Sequence, residues 1–244
     1  MVPLGEHDWN LSPREAAALQ LTLAPQIRFD AGPSNVSLVA GVDVAVGGRF
    51  GQTPGRGAVV VLAYPQLAPV EQAVVKREVG FPYIPGLLSF REIPVLLPAF
   101  ARLQSVPDLL VVDGQGWAHP RRMGLASHLG LLLDVPTIGC AKSRLIGEFA
   151  SLGEERGCVE YLRDPSRNGE IIGAAVRTRA GTKPVFVSVG HRIRLDEAID
   201  WTLRLAPQLR VPMPTRLAHE AAAGRQVAPE LCQSVKREGG IAIG

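Results

Sequence analysis

The sequence predicts an α/β fold built on a mixed β-sheet: three antiparallel strands, then alternating strands and helices, with helices flanking the sheet. Three observations predict it. Three runs rich in β-branched residues, Val36–Val46, Ala58–Tyr64 and Val70–Val79, follow one another on short turns. Beyond Leu87 the pattern changes to helix-length segments alternating with short apolar strands. The chain has 244 residues, 46% of them hydrophobic, which suits one sizeable domain spanning residues 1–244.

The elements follow in order. Ser12-Pro13-Arg14-Glu15 has the residues of a capping box with proline at the first helical position, so a helix is expected from there to about Leu23. Gly47–Gln52 and Pro65–Pro69 are the turns between the first three strands, and Val59-Val60-Val61-Leu62 reads as a central strand. Leu87–Leu103 reads as a helix with Leu96, Phe100 and Leu103 on one face, its first half made irregular by Pro94 and Pro98. Leu109–Val112 is a strand buried on both faces, Arg122–Leu133 a helix, and Pro136–Gly139 another short strand. Ile171–Val176 and Val185–Val189 form a hairpin about Arg179–Thr182, and Asp196–Leu205 and Thr215–Ala223 are helical. The order is that of the ribonuclease H-like fold. No repeat or linker interrupts it.

Composition excludes several classes of protein. No apolar run is long enough to cross a bilayer. Residues Met1–Trp9 lack the basic segment and apolar core of a secretory signal. Cys140, Cys158 and Cys232 are odd in number and widely spaced, which argues against a disulfide framework or a zinc site and for a cytoplasmic location. The formal net charge of +3 permits nucleic-acid binding without requiring it.

Three acids stand out. Asp43 sits within Val42-Asp43-Val44, where a lone carboxylate is costly unless paired or bound to a cation. Asp113 closes Leu110-Val111-Val112 and precedes Gly114, at the strand end where α/β sheets place their sites. Glu92 follows in the next helix. If the first and fourth strands are neighbours, the three converge, and their mutual repulsion calls for Mg²⁺ or Mn²⁺. Each also has a purely structural reading: Asp43 facing a turn or in an ion pair, Asp113 in a turn, and Glu92 closing a capping box in Ser89-Phe90-Arg91-Glu92. Lys142, after the fifth strand, fits a phosphate contact or an ordinary surface lysine. Thr215 is a plausible N-cap, which places His219 in an early helical turn, where local sequence favours a surface histidine over a ligand and Glu220 beside it is a rival for any role.

Phe81-Pro82-Tyr83-Ile84-Pro85-Gly86-Leu87-Leu88 raises an aromatic ring between two prolines, a stiff platform suited to wedging into stacked bases. Nine residues after Tyr83 comes Glu92. This segment resembles endonuclease V, as do Gly41-Val42-Asp43, Asp113–His128 with Gly139–Ser143, and Pro214–His219. The resemblance spans about residues 10–222 in one register and leaves the tail, about 223–244, unassigned.

The resemblance implies an endonuclease acting on DNA that contains deoxyinosine. Such an enzyme cuts the second phosphodiester on the 3′ side, leaving a 3′-hydroxyl and a 5′-phosphate. It implies Asp43, Glu92 and Asp113 as ligands of Mg²⁺, for which Mn²⁺ substitutes, with His219 at the metal site and Lys142 near the scissile phosphate. Pro82, Tyr83, Ile84 and Pro85 become the wedge, and the backbone near Gly86, Leu88, Gly114 and Gly139 lines a hypoxanthine pocket. His119 contacts substrate or orders its loop, and His128 fills the core. Gln115 departs from the histidine of many members. A monomer is expected, with DNA as partner and with the repair proteins that follow unidentified. The alternatives are an inosine-specific ribonuclease and a binding module without catalysis.

Overall fold

A computed structural model of the chain describes residues 1, 7–46 and 54–228. The expected turn at Gly47–Gln52, Cys232 and most of the C-terminal tail lie outside the described residues. Helix α1 (Pro13–Leu23) begins as its sequence requires: the Glu15 amide donates to Ser12 Oγ at 3.3 Å, and the Ser12 amide donates to the Glu15 carboxylate at 2.8 Å.

The strands β1 (Leu38–Ala45), β2 (Gly55–Ala63) and β3 (Ala68–Arg77) form the expected antiparallel meander. Helix α2 (Leu88–Arg102) leads to β4 (Leu109–Val112), and α3 (Leu125–Leu133) to β5 (Thr137–Ala141). β6 (Val159–Asp164), β7 (Glu170–Val176) and β8 (Val185–His191) follow, then α4 (Leu195–Leu205) and α5 (Met213–Ala222). Among the described residues eight strands join one sheet in the order β3-β2-β1-β4-β5-β8-β7-β6. β4 pairs parallel with both β1 and β5, and the other pairings are antiparallel. This is the mixed sheet of the ribonuclease H-like fold.

Alternation along the strands distributes the core over both faces. Val59, Val61, Leu110 and Val112 pack under α2 and α3 with Ile93, Leu96, Phe100 and Leu129. On the opposite face Ala58, Val60 and Leu62 meet α5, while Val39, Leu109 and Val111 pack with Ile199 and Leu205 of α4. The apolar positions of α2 recur at helical spacing, with Ile93, Leu96 and Phe100 wholly buried.

Several sequence expectations are corrected. The prolines do not disturb α2, which is continuous from Leu88 to Arg102. Pro98 has no amide to offer the Pro94 carbonyl, and an Arg77 guanidinium N–H donates to that oxygen instead, at 3.0 Å. Helix α3 starts at Leu125 rather than Arg122, because Arg122 is left-handed (φ 57°) and Gly124 forms the extended N-cap. β6 was not foreseen; its exposed Tyr161 and Arg163 dilute the apolar signal at a sheet edge. Among the described residues no helix is long and apolar enough to cross a membrane.

Candidate active site

The parallel pairing of β1 with β4 sets Val42 opposite Val112. The residues that follow, Asp43 and Asp113, therefore lie beside each other near the carboxyl ends of adjacent strands, and the Asp113 amide donates to Val42 O at 3.5 Å. Glu92 comes to them from the second turn of α2. Burial pushes its carboxyl up to about 8, and repulsion from Asp43 and Asp113 adds to the effect. Burial also raises Asp43, and Asp113 opposes its charge further, against the lowering effect of a hydrogen bond from His219. The three acids are thus one electrostatic group.

The capping reading of Glu92 fails. Helix α2 begins at Leu88 with Leu87 as N-cap, and Ser89 lies inside the first turn with its buried hydroxyl unpartnered. Thr215 is likewise not a cap. Helix α5 begins two residues earlier, at Met213, and the Thr215 hydroxyl donates back to Pro212 O at 2.9 Å.

Two side chains hold the aspartates. His219 Nδ1 lies 2.9 Å from Asp43 Oδ2, and the Lys142 ammonium makes a salt bridge with Asp113. Lys142 reaches it from the end of β5, the neighbour of β4. Among the described residues no three His, Cys, Asp or Glu side chains are gathered tightly enough to form a ready-made metal site.

Beside the acids opens a cavity of about 360 Å³. Tyr83, Ile84, Pro85, Gly86 and Leu88 form part of its lining, together with Asp113, Gly114, Gln115, His119 and Lys142. Phe81 and Leu87, both buried, anchor the ends of the proline loop, and buried Arg91 donates to Phe81 O at 2.7 Å. Between these anchors Tyr83 stands 58% exposed. Two of the residues expected to bind substrate lie outside the cavity lining. Pro82 borders a separate depression with Trp9 and Arg91. Gly139 is buried behind the wall, where a Cβ would come within 2.5 Å of the Gly116 amide and 2.8 Å of the Gly114 carbonyl.

The Gly86 carbonyl organises this wall. It accepts from Gln20 Nε2 at 3.1 Å, from the Arg121 guanidinium at 2.7 Å and from His119 Nε2 at 2.9 Å. Gly86 itself is left-handed (φ 81°), a conformation natural to glycine. His119 Nδ1 accepts the Arg121 amide at 3.2 Å, so the proton sits on Nε2. Burial, reinforced by Arg121, pulls the His119 ring down to about 4, consistent with this neutral form. His119 therefore orders the loop. Gln20 and Arg121 were missed from the sequence. The available signal was Gln20 four residues after Ala16 on the buried face of α1, a polar group on a core stripe. Gln115 spans the site differently, its Nε2 donating to Ser143 O at 2.8 Å. His128 is a core histidine, as expected: it is fully buried, paired with His7 across 2.8 Å and held down to about 3 by burial, with His7 adding to the effect.

Residues 21–220 match the family model for endonuclease V. The chain is 51% identical over 217 residues to endonuclease V of Gloeobacter violaceus, covering 88% of this chain and 87% of that protein. The crystal structure of endonuclease V from Streptomyces avermitilis superposes with a TM-score of 0.82 at 42% identity, covering 91% and 95% of the two chains. Endonuclease V of Ciona intestinalis, solved with a 24mer DNA containing an inosine followed by a ribo-adenosine, superposes at 0.75 with 27% identity, covering 86% and 95%. Sequence, fold and the grouping of Asp43, Glu92 and Asp113 lead to one assignment: the chain belongs to the endonuclease V family of nucleases.

Proposed function

We propose that this protein is a Mg²⁺-dependent DNA-repair endonuclease that recognises deoxyinosine. It hydrolyses the second phosphodiester on the 3′ side, leaving a 3′-hydroxyl and a 5′-phosphate. The observation that carries the reading is the meeting of a mutually repelling carboxylate group with a cavity walled by the proline–tyrosine loop.

The donor set fits a hard divalent cation. Asp43, Glu92 and Asp113 offer oxygen, and their repulsion, with the Glu92 carboxyl at about 8, is relieved by positive charge. When bound, Mg²⁺ (or Mn²⁺ in its place) supplies the charge that lowers the pKa of water and stabilises the leaving oxygen. His219 orients Asp43 through Nδ1. Lys142 holds a positive charge beside Asp113, placed to meet the scissile phosphate. Water oxygen adds to phosphorus, the P–O3′ bond breaks, and the 3′-oxygen leaves as a hydroxyl.

Tyr83, exposed on an anchored loop, fills the gap left by the extruded base. The backbone at Gly86 and Gly114 approaches the base closely, so an exocyclic amine on adenine or guanine clashes where hypoxanthine fits. The reading includes a cytoplasmic monomer acting ahead of the proteins that repair the nick. The ribo-adenosine after the inosine in the Ciona complex favours a second reading, inosine in RNA.

The test is cleavage of an end-labelled strand with one deoxyinosine, in Mg²⁺ and in EDTA, beside an unmodified strand and an inosine RNA. A Mg²⁺-dependent nick one nucleotide beyond the deoxyinosine is expected. Cutting confined to RNA replaces DNA with RNA as substrate, and no cutting of either strand overturns the reading.

A further inference from the structure

A second cavity of about 300 Å³ adjoins the carboxylates on the His219 side. Four cationic side chains line it, Lys142, Arg179, Arg210 and Arg216, together with His219, and no carboxylate does. The four come from separate parts of the chain: the end of β5, the β7–β8 connection, the segment before α5, and α5 itself.

Their partners divide them into two kinds. Arg210 is a brace: its guanidinium donates to Lys183 O at 2.9 Å, Pro184 O at 3.2 Å and Lys142 O at 2.9 Å, tying the Lys142 loop to the β7–β8 connection. Arg179 and Arg216 are exposed. Arg179 has no carboxylate partner among the described residues. Arg216 shares Glu220 with Arg225, in contacts of 3.3 and 3.7 Å. Exposed ion pairs of this kind hold little free energy, so a phosphate competes readily for Arg216.

Lys142 also lines the cavity beneath Tyr83. The two cavities therefore meet at the lysine that pairs with Asp113, and together they form one path: base cavity, carboxylates, cationic groove. We propose that the groove binds the phosphodiester backbone of the strand on the 3′ side of the cut, with Arg179 and Arg216 as its phosphate ligands. The inference rests on the proposed function, because the cut on the 3′ side sets the polarity. With the altered base in the first cavity and the scissile phosphate at Lys142, the strand leaves toward its 3′ end through the groove. The same residues then hold the 5′-phosphate fragment after cleavage.

The experiment measures equilibrium binding in EDTA, where no cutting occurs. Labelled single strands carry one deoxyinosine, with either the 3′ arm or the 5′ arm lengthened from one nucleotide to eight. Arg179→Gln/Arg216→Gln is compared with the unaltered protein and with Arg204→Gln. Arg204 pairs with Asp200 on α4 and bonds Tyr64, whose amide reaches Ser37 at the far end of β1 from Asp43. It controls for the loss of a positive charge away from the groove, one charge against two.

Lengthening the 3′ arm is expected to tighten binding to the unaltered protein and to Arg204→Gln, and to do little for the double variant. The slope of log K against log salt for the long 3′ arm should fall by about 1.4 in the double variant, about 0.7 per lost phosphate contact. A double variant that keeps the full gain from the 3′ arm overturns the proposal, and so does a gain that follows the 5′ arm. Loss of preference for deoxyinosine over deoxyadenosine in the unaltered protein would count against the base cavity instead, and the arm-length comparison still decides the groove.

Discussion

Gly41 and Pro214 meet backbone to backbone: a Cβ at position 41 would stand 2.0 Å from the Pro214 carbonyl oxygen. Only glycine lets the start of α5 lie on β1 at this depth. The contact lies two residues before Asp43 and five before His219, and it sets the 2.9 Å approach of those two side chains. Gly41→Ala is expected to push α5 off the sheet and cost about 1–3 kcal/mol or more of stability. Cleavage should fall even at temperatures where the variant is folded. An unchanged thermal midpoint and an unchanged cleavage rate would show that α5 is not seated on Gly41.

Asp43 and Asp113 are kept close against their mutual repulsion, a cost in stability that the proposed metal site would account for. Asp43→Ala and Asp113→Ala should each slow cleavage by at least about a hundredfold, the scale of removing one electrostatic group from a reaction site. Their melting temperatures in EDTA should be no lower than that of the unaltered protein. Full activity in either variant removes that residue from the site.

Tyr83 presents its ring from a loop anchored at Phe81 and Leu87. Loss of base stacking is worth about 1–3 kcal/mol. Tyr83→Ala should weaken binding to a deoxyinosine strand by that amount, or relax its selectivity, while Mg²⁺-dependent cutting persists at saturating substrate. Binding and selectivity both unaltered would rule out the wedge.

Gln20 braces the site with both ends of its amide: Nε2 donates to Gly86 O at 3.1 Å and to Met123 O at 2.9 Å, and Oε1 accepts from Arg121 Nε at 2.6 Å. Gln20→Ala leaves Met123 O without this donor and Arg121 Nε without this acceptor, while Gly86 O keeps His119 and Arg121; a buried group left unsatisfied costs about 1–3 kcal/mol. The expected effect is a higher KM with kcat little changed, because the base cavity loosens while the carboxylates stay in place. A change confined to kcat would contradict a role in shaping the cavity.

Acid should destabilise the fold through its buried histidines. Burial holds His119 down to about 4 and His128 to about 3, against an ordinary value of 6.5. The unfolded chain binds these protons first, so the stability is present above 6.5 and drains away as pH falls toward 4 and then 3. His128→Leu removes one of the two contributions. The drop in melting temperature between pH 7 and pH 4.5 should shrink in that variant, and a drop of the same size would overturn the assignment.

The sequence by itself determined the order of elements apart from β6, because strand and helix signals are local properties: the β-branched runs of β1–β3 and the helical spacing of Leu96 and Phe100 are both written in neighbouring residues. It also marked Asp43, Asp113 and Tyr83, since a lone acid in an apolar strand, an acid closing one, and an aromatic ring between prolines are anomalies of short range. Glu92 and His219 were ambiguous on local grounds, because a helix start and a surface helix both accept such residues. Only the tertiary structure places them beside the aspartates: α2 begins too early for the capping box, and α5 reaches β1 only over Gly41. The Gly86 hub and the cationic groove lay beyond the reach of the sequence for the same reason. Gln20, Arg121 and His119 converge from α1 and from the segment before α3, and Arg179 and Arg216 are brought together by the sheet, so long-range packing rather than spacing makes each a site.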